Sequence, residues 1–374
     1  MRKRFLKVRL PLFLLFAGLL TTLLATSTLN QQTAKQITAF YKNELDSIKA
    51  TGLLIEREAL TFNDNRAAAL FEKMRMHYKH VEALVEYHYP SSATKINGAP
   101  LLEAEPNQPN EPLHPEGFQV LEELVYAPLN DASRKDIQFE ISNMLTATDK
   151  LIRFAGELQL TKSNVMDAIR LNLYRMMIKG ITGFDNPIGL KGVEEAAVTL
   201  QSTKLMLAQF SGTAKVQASC EKAISYIQKN DNNFDDFNRA VFISKYLNPL
   251  CVVLYDYQEA EGIPFVQQST AISVKAKHIF ERNAFDVMHF APDGTEALTE
   301  AQIALGKKLF FDPSFSSTGN RSCGSCHQPN KAFTDGLATN ESILNGKKLM
   351  RNTPTLINAA LQPAQFYDSR IYFL

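Results

Sequence analysis

Cys323-Gly324-Ser325-Cys326-His327 is the stretch on which the reading of this chain turns. C-x-x-C-H is the attachment signature of a c-type haem. Two cysteines three apart lie on one side of a helical turn, so both sulfurs can form thioethers to one porphyrin. His327, the next residue, is placed to coordinate the iron from the same side. C-x-x-C alone also fits a thioredoxin-type redox pair or half of a zinc site. Zinc wants a second ligand pair, yet the other two cysteines, Cys220 and Cys251, stand far upstream and widely apart. The redox pair wants a preceding strand. Here Ser316-Ser317-Thr318-Gly319-Asn320 reads as a loop.

Working outward, Leu298 to Phe311 reads as a helix, Asp335-Gly336 as a turn, and Thr353-Pro354 as a helix start running towards Leu361. Composition shifts near Ala291-Pro292-Asp293-Gly294, the expected linker. Before it, apolar residues recur at three and four: Ile37, Phe40, Tyr41, Leu45 and Ile48, then Phe71, Met74, Tyr78, Val81, Val85 and His88. Further helices are expected near Glu116–Tyr126, Arg134–Leu158, Ser163–Lys179, Val193–Phe210, Ala214–Lys229 and Phe234–Tyr257, with Ser163 as a cap and Gly180 as a stop. Pro90 to Pro115 reads as a proline-rich surface loop, and no strand alternation is convincing. The fold class is therefore all-α: an N-terminal helical bundle of six to eight helices over residues 31–285, then a haem domain over residues 292–374.

The first residues carry Arg2, Lys3, Arg4, Lys7 and Arg9, followed by an apolar stretch from Leu10 to Ala25. A basic region before an apolar one is an export signal, so residues 1–27 read as a signal peptide or an N-terminal membrane anchor, and the protein as periplasmic. Haem attachment belongs to the same exported side. The 374 residues carry a formal net charge of +1, with 45% hydrophobic and 21% charged residues and no tryptophan. That balance, with no basic stripe beyond the leader, argues against nucleic-acid binding. On a straight helical hairpin Cys220 and Cys251 would sit about 12 Å apart along the axis, too far for a disulfide; a bend at Pro249 would allow a bridge, and two buried thiols are the expectation.

Five stretches, Leu305–Pro313 (LGKKLFFDP), Ser322–His327 (SCGSCH), Ala332–Gly336 (AFTDG), Arg351–Asn358 (RNTPTLIN) and Gln365–Arg370 (QFYDSR), resemble bacterial di-haem cytochrome c peroxidases and the related MauG-type enzymes. The resemblance implies a cytochrome c-like domain, haem c attached at Cys323 and Cys326, His327 as iron ligand and Arg351 near a haem propionate. It implies reduction of hydrogen peroxide with electrons from a small cytochrome or cupredoxin, or MauG-like oxidation of a partner. The chain departs from the pattern. It has one C-x-x-C-H, so the second haem and the distal acid are expected beyond Leu374, and the haem domain reads as C-terminally incomplete. The stretch from Leu337 to Met350 holds no histidine for a sixth ligand, where Met350 is a conceivable substitute, and Tyr367 stands where relatives often have a tryptophan. The alternative is a mono-haem electron-transfer or haem-bearing binding protein without peroxidase turnover.

The N-terminal part has a fainter echo. Gly117-Phe118-Gln119-Val120-Leu121-Glu122 resembles the G-x-H-x-x-E motif of imelysin-like proteins, with Gln119 replacing the histidine, and Gly183–Pro187 resembles another stretch of that family. Glu122 reads as a surface or structural acid, and the domain as a docking or scaffold element. His77 and His80, three apart on one helix, could share a ligand, although a solvated helix face is the expectation. His114, His278 and His289 carry no spacing that assigns them.

Overall fold

The computed structural model describes residues 29–105, 108–230, 233–266, 270–342, 346–366, 369 and 371. The expected leader or anchor, Tyr367 and Arg370 lie outside them. Most of the chain is helical, as its periodicity requires. No helix of the described residues is long and apolar enough to cross a membrane. Contacts divide the chain into two compact units: Met1–Pro100, Pro115–Gln268 and Val274–Glu281, and then Leu101–His114, Ser269–Ser273 and Arg282–Leu374.

The first unit is built on α1 (Gln31–Glu58) and α2 (Asp64–His88), which pack on each other. Each starts at an asparagine whose side-chain oxygen accepts an N–H of the first turn, Asn30 from Thr33 and Asn63 from Arg66. The α1 stripe Ile37, Tyr41, Leu45, Ile48 and Ile55 is fully buried. Gly52 lets α1 approach α5 (Asp131–Phe154): a Cβ there would stand 2.8 Å from Leu145. Between them come α3 (Pro90–Asn97) and α4 (Phe118–Tyr126), followed by α6 (Lys162–Arg175), α7 (Gly192–Leu207), α8 (Ala214–Asn230), α9 (Arg239–Phe242) and α10 (Asn248–Ala260). Helices α6 and α7 pack on α2, and α8 packs on α7 and α10.

Several expectations are corrected. The proline-rich 90–115 segment is not one loop. Pro90 opens α3, because its fixed φ suits a first turn where no N–H is needed. Glu103–Glu105 (β1) and Gln108–Leu113 (β2) then pair antiparallel, with an irregular register between Glu103↔Leu113 and Glu105↔Gln108. A two-stranded ribbon has only edges, which is where prolines are tolerated in a strand. Thr161, not Ser163, caps α6, in a reciprocal box with Asn164, and Ser163 is buried in the first turn. The helix expected from Phe234 starts at Asn238–Arg239 and widens over Ile243–Leu247, just before Pro249. Pro249 lacks the N–H that a regular helix would give to the carbonyl four residues back, and a wide turn there absorbs the break.

The second unit holds α11 (Glu300–Phe311), capped by Thr299 in a reciprocal box with Gln302, and the single-turn α12 (Cys323–Cys326) packed on it. The helix expected at Thr353 does not form. The hydroxyl of Thr353 is committed elsewhere, and the chain turns only briefly at Ala359–Leu361. Cys220 and Cys251 are both buried and unbonded, and burial pushes each thiol up to about 12.

Candidate haem-attachment site

Ser322 and Ser325 bracket α12. The Ser325 hydroxyl accepts the Ser322 N–H at 3.0 Å, and the His327 N–H donates to the Cys323 carbonyl at 3.0 Å. One turn thus sets Cys323, which is exposed, and Cys326, half-buried, at helical i, i+3 spacing, as the sequence requires. Gly324 makes the packing on α11 possible, since a Cβ there would stand 2.7 Å from the Phe311 ring. Phe310 meets Phe311 edge-on at 5.0 Å and Phe333 at 6.1 Å, so three aromatic rings stand beside the cysteine turn.

His327 is oriented by the backbone. Its Nδ1 lies 3.1 Å from the carbonyl oxygen of Phe333. A carbonyl only accepts, so Nδ1 carries the proton and Nε2 is left with its lone pair. An imidazole held this way is a prepared metal ligand, its ring orientation and tautomer fixed by the carbonyl on the far nitrogen. The carbonyl is aimed by an unusual backbone: Ala332 and Phe333 both have left-handed conformations, φ 54° and 58°. Such residues cost of order 1 kcal/mol or more each and persist only where their surroundings fix them. Here the Phe333 N–H donates to Gln328, Gln328 N–H donates to Thr334, and the Thr355 hydroxyl donates to the Ala332 carbonyl at 2.6 Å.

A second polar knot ties the two motif stretches together. The buried Thr353 hydroxyl donates to Asp335 Oδ2 at 2.9 Å and accepts from the Asn340 amide at 2.5 Å. Asp335 Oδ1 accepts the Leu337 N–H, which holds the carboxyl below its ordinary range. Lys331 Nζ reaches the Asp335 carbonyl at 2.9 Å. AFTDG and RNTPTLIN, separate in sequence, therefore form one support behind His327. The sequence marks Asp335 as a turn residue and Thr353 as a helix start, and gives no role to Phe333 or Asn340; the left-handed pair gives no sequence signal, because alanine and phenylalanine are not left-handed formers.

The other candidates fall as follows. Arg351 is exposed, and its carbonyl accepts the Asn340 N–H at 3.2 Å. Met350 is 97% exposed, so packing does not account for it. His278 accepts the Phe280 N–H in a local turn. Of the two readings of Glu122, the structural one holds: the side chain is fully buried, and its Oε1 accepts the N–H groups of Ile188 and Gly189 at 3.1 and 2.7 Å. Burial pushes its carboxyl up. The 117–122 stretch thus meets residues 188 and 189, directly after the 183–187 stretch.

The donor set fits a c-type haem on the chain's own geometry: two thiols one turn apart, neither fully buried, one imidazole with a free Nε2, and aromatic rings alongside. Comparison with known proteins agrees over the same stretch. Residues 300–374 match the profile of the family described as di-haem cytochrome c peroxidase. The chain is 42% identical over 76 residues to a cytochrome c551 peroxidase of Pseudomonas aeruginosa, covering 20% of this chain and 21% of that one. It is 42% identical over 73 residues to the methylamine utilization protein MauG of Methylorubrum extorquens, 20% of each, and 43% over 76 residues to MauG of Paracoccus denitrificans, 19% of this chain and 20% of that one. The chain spans about a fifth of the length of the curated relatives it matches. Over residues 300–374, and over that part alone, the chain is similar to the di-haem cytochrome c peroxidases and MauG proteins.

Proposed function

We propose that this protein is an exported c-type haem protein of the di-haem peroxidase type, which reduces hydrogen peroxide with electrons from a small cytochrome or cupredoxin. The observation that carries the reading is the His327 imidazole, held at Nδ1 by the Phe333 carbonyl beside two thiols one helical turn apart. When bound, the haem supplies the iron at which two electrons and two protons convert peroxide to two waters. Cys323 and Cys326 bind the porphyrin covalently. His327 Nε2 ligates the iron, and the Phe333 carbonyl keeps that ring from turning. Arg351 is the cation for a propionate. MauG-like oxidation of a protein partner uses the same residues. The reading includes one haem c on these residues with a second beyond them, a helical bundle before the haem domain, and a periplasmic location with residues 10–25 as a signal or anchor.

The test is direct. Protein purified from an exporting, haem-attaching host is denatured and stained for covalent haem, then assayed for peroxide consumption with reduced cytochrome c. Covalent haem that is lost in Cys323→Ala/Cys326→Ala, with peroxide-dependent oxidation of the donor, is the expected result. Covalent haem with electron exchange but no peroxide consumption replaces the enzyme with an electron carrier. No covalent haem overturns the proposal.

A further inference from the structure

In the first unit, α1 and α2 bring three metal-ligating side chains to one place. Glu44 Oε2 lies 2.7 Å from His77 Nδ1 and 3.1 Å from His80 Nδ1, and the three donor atoms all fall within 4.8 Å of one another. The residues are half-buried, with side chains 18–25% exposed, so solvent reaches them while the helices fix their positions. His77 and His80 share a face because they are three apart on a helix, and Glu44 comes from the helix packed against it. The Phe40 ring stands 5.9 Å from the His80 ring, and the Ser202 hydroxyl of α7 donates to the His80 carbonyl at 2.6 Å, so both side chain and backbone of His80 are held.

Hydrogen bonding does not account for the whole arrangement. His77 Nδ1 makes a hydrogen bond to the carboxylate, but His80 Nδ1, although 3.1 Å from the same oxygen, is buried and lies off the line of a hydrogen bond. A buried ring nitrogen facing a carboxylate oxygen without bonding to it is what a shared cation would resolve. With metal–ligand bonds of about 2.0–2.2 Å, donors on a tetrahedral site stand roughly 3.3 Å apart. The two nitrogen–oxygen distances to Glu44, 2.7 and 3.1 Å, are close to that edge length, so small side-chain shifts complete the site.

We propose that Glu44, His77 and His80 form a binding site for a divalent first-row transition ion, with the remaining coordination positions open to water. Two imidazoles and a carboxylate suit Zn2+, Fe2+, Cu2+ or Ni2+ and not the hard cations Ca2+ and Mg2+, which take oxygen ligands. The site is separate from the cysteine–histidine turn and does not depend on the haem reading.

Zn2+ is the probe. Full-length protein is stripped with a chelator and titrated calorimetrically beside His77→Ala, His80→Ala and Glu44→Gln, with thermal melts run in chelator and in Zn2+. Wild type takes up one equivalent more than each variant, or binds it at least about tenfold more tightly, and its melting temperature rises with Zn2+ where the variants' does not. Thiol sites elsewhere contribute equally to all four proteins and cancel in the comparison. Glu44→Gln keeps the size and the acceptor oxygen, so a folded Glu44→Gln with wild-type Zn2+ uptake and melt would overturn the proposal. So would identical titrations throughout, or a wild type that binds no Zn2+.

Discussion

The two units treat polarity in opposite ways. In the first, full charges are buried: the side chains of Arg75 and Glu195 are 1% and 2% exposed, and they form a two-pronged pair at 2.5 and 2.7 Å. Lys79 joins them, 2.8 Å from Glu82 and 3.2 Å from Asp185. In the second, apolar side chains are exposed: no residue of α11 is buried, and Ile303, Leu305 and Phe311 are each about half exposed. A unit that hides ion pairs has apolar surface to spare for closing over them. A unit in which Ala284 is the one buried apolar side chain among the described residues has a core too small to close over its own rings. The first therefore draws its stability from itself. The second holds its shape through a polar knot and the hydrogen bonds that fix two strained residues, and its exposed rings are a surface that the haem proposed above would cover.

The largest test of that contrast is Arg75→Met. Burial alone opposes a charge at position 75, and the Glu195 carboxylate more than offsets it; Arg75 in turn holds Glu195 ionised against burial. Removing Arg75 leaves the buried Glu195 carboxylate with Lys79 at 3.8 Å and the Asn186 amide at 3.3 Å, and the loss of its two-pronged partner costs about 3 kcal/mol in urea unfolding. Arg75→Met with Glu195→Met should cost less than the two single changes added together. If Arg75→Met alone unfolds with an unchanged midpoint, the first unit is not held by this network.

Thr353→Val tests the polar knot of the second unit. It removes the donor to Asp335 Oδ2 and the acceptor for Asn340 while keeping the side-chain shape. The cost expected is about 1–3 kcal/mol, confined to the second unit. Limited proteolysis should cut within residues 330–360 faster while the first unit stays intact. Equal protection of both units would show that the knot is incidental.

How far the sequence showed this depends on the range of each interaction. Ile37, Tyr41, Leu45 and Ile48 are buried where their spacing says, and Cys323 to Cys326 form the turn that their motif demands, because both patterns are local. Arg75 and Glu195 are 120 residues apart, and Glu44 and His77 are 33 apart, on different helices. Nothing in a single sequence says which distant residue a charged side chain will meet. The α2 stripe hid a clue: Arg75, Lys79 and Glu82 flank its apolar residues at helical spacing and are buried with them. Thr353-Pro354 misled for the complementary reason. A threonine hydroxyl caps a helix only if nothing else claims it, and Asp335 and Asn340 do.

His88, at the end of α2, offers a smaller effect with a definite sign. Burial pushes its imidazole down from 6.5 to about 4, and its Nε2 has no hydrogen-bond partner. The unfolded chain takes up that proton near pH 6.5 and the folded chain only near pH 4. Between these values the unfolded state holds more protons, so this group's stabilisation is full above the window and is lost as pH falls through it. Glu86, Glu122, Glu140 and Asp167 act in the opposite sense, because burial raises their carboxyls. The readout is therefore the difference between wild type and His88→Gln across pH 7 to 4. That difference should shift by about 1–2 kcal/mol in favour of the variant as pH falls; parallel curves would show that His88 is solvated.

The smallest effect belongs to the strained pair behind His327. Ala332 at φ 54° pays about 1–2 kcal/mol for its left-handed conformation. Ala332→Gly removes that penalty but adds about 0.5–1 kcal/mol of unfolded-state entropy, so the expected stability change is a gain of less than about 1 kcal/mol. The two hypotheses about the strain then separate on a different readout. If the left-handed pair serves only to turn the chain, Ala332→Gly leaves the haem spectrum as it was. If the strain stiffens the carbonyl that holds His327, the variant is slightly more stable yet binds iron through a looser imidazole, with broadened ligand-sensitive bands and a shifted midpoint potential. The Thr355 hydroxyl on the Ala332 carbonyl predicts the second outcome, since a hydrogen bond to a merely turning residue has no ring to keep in register.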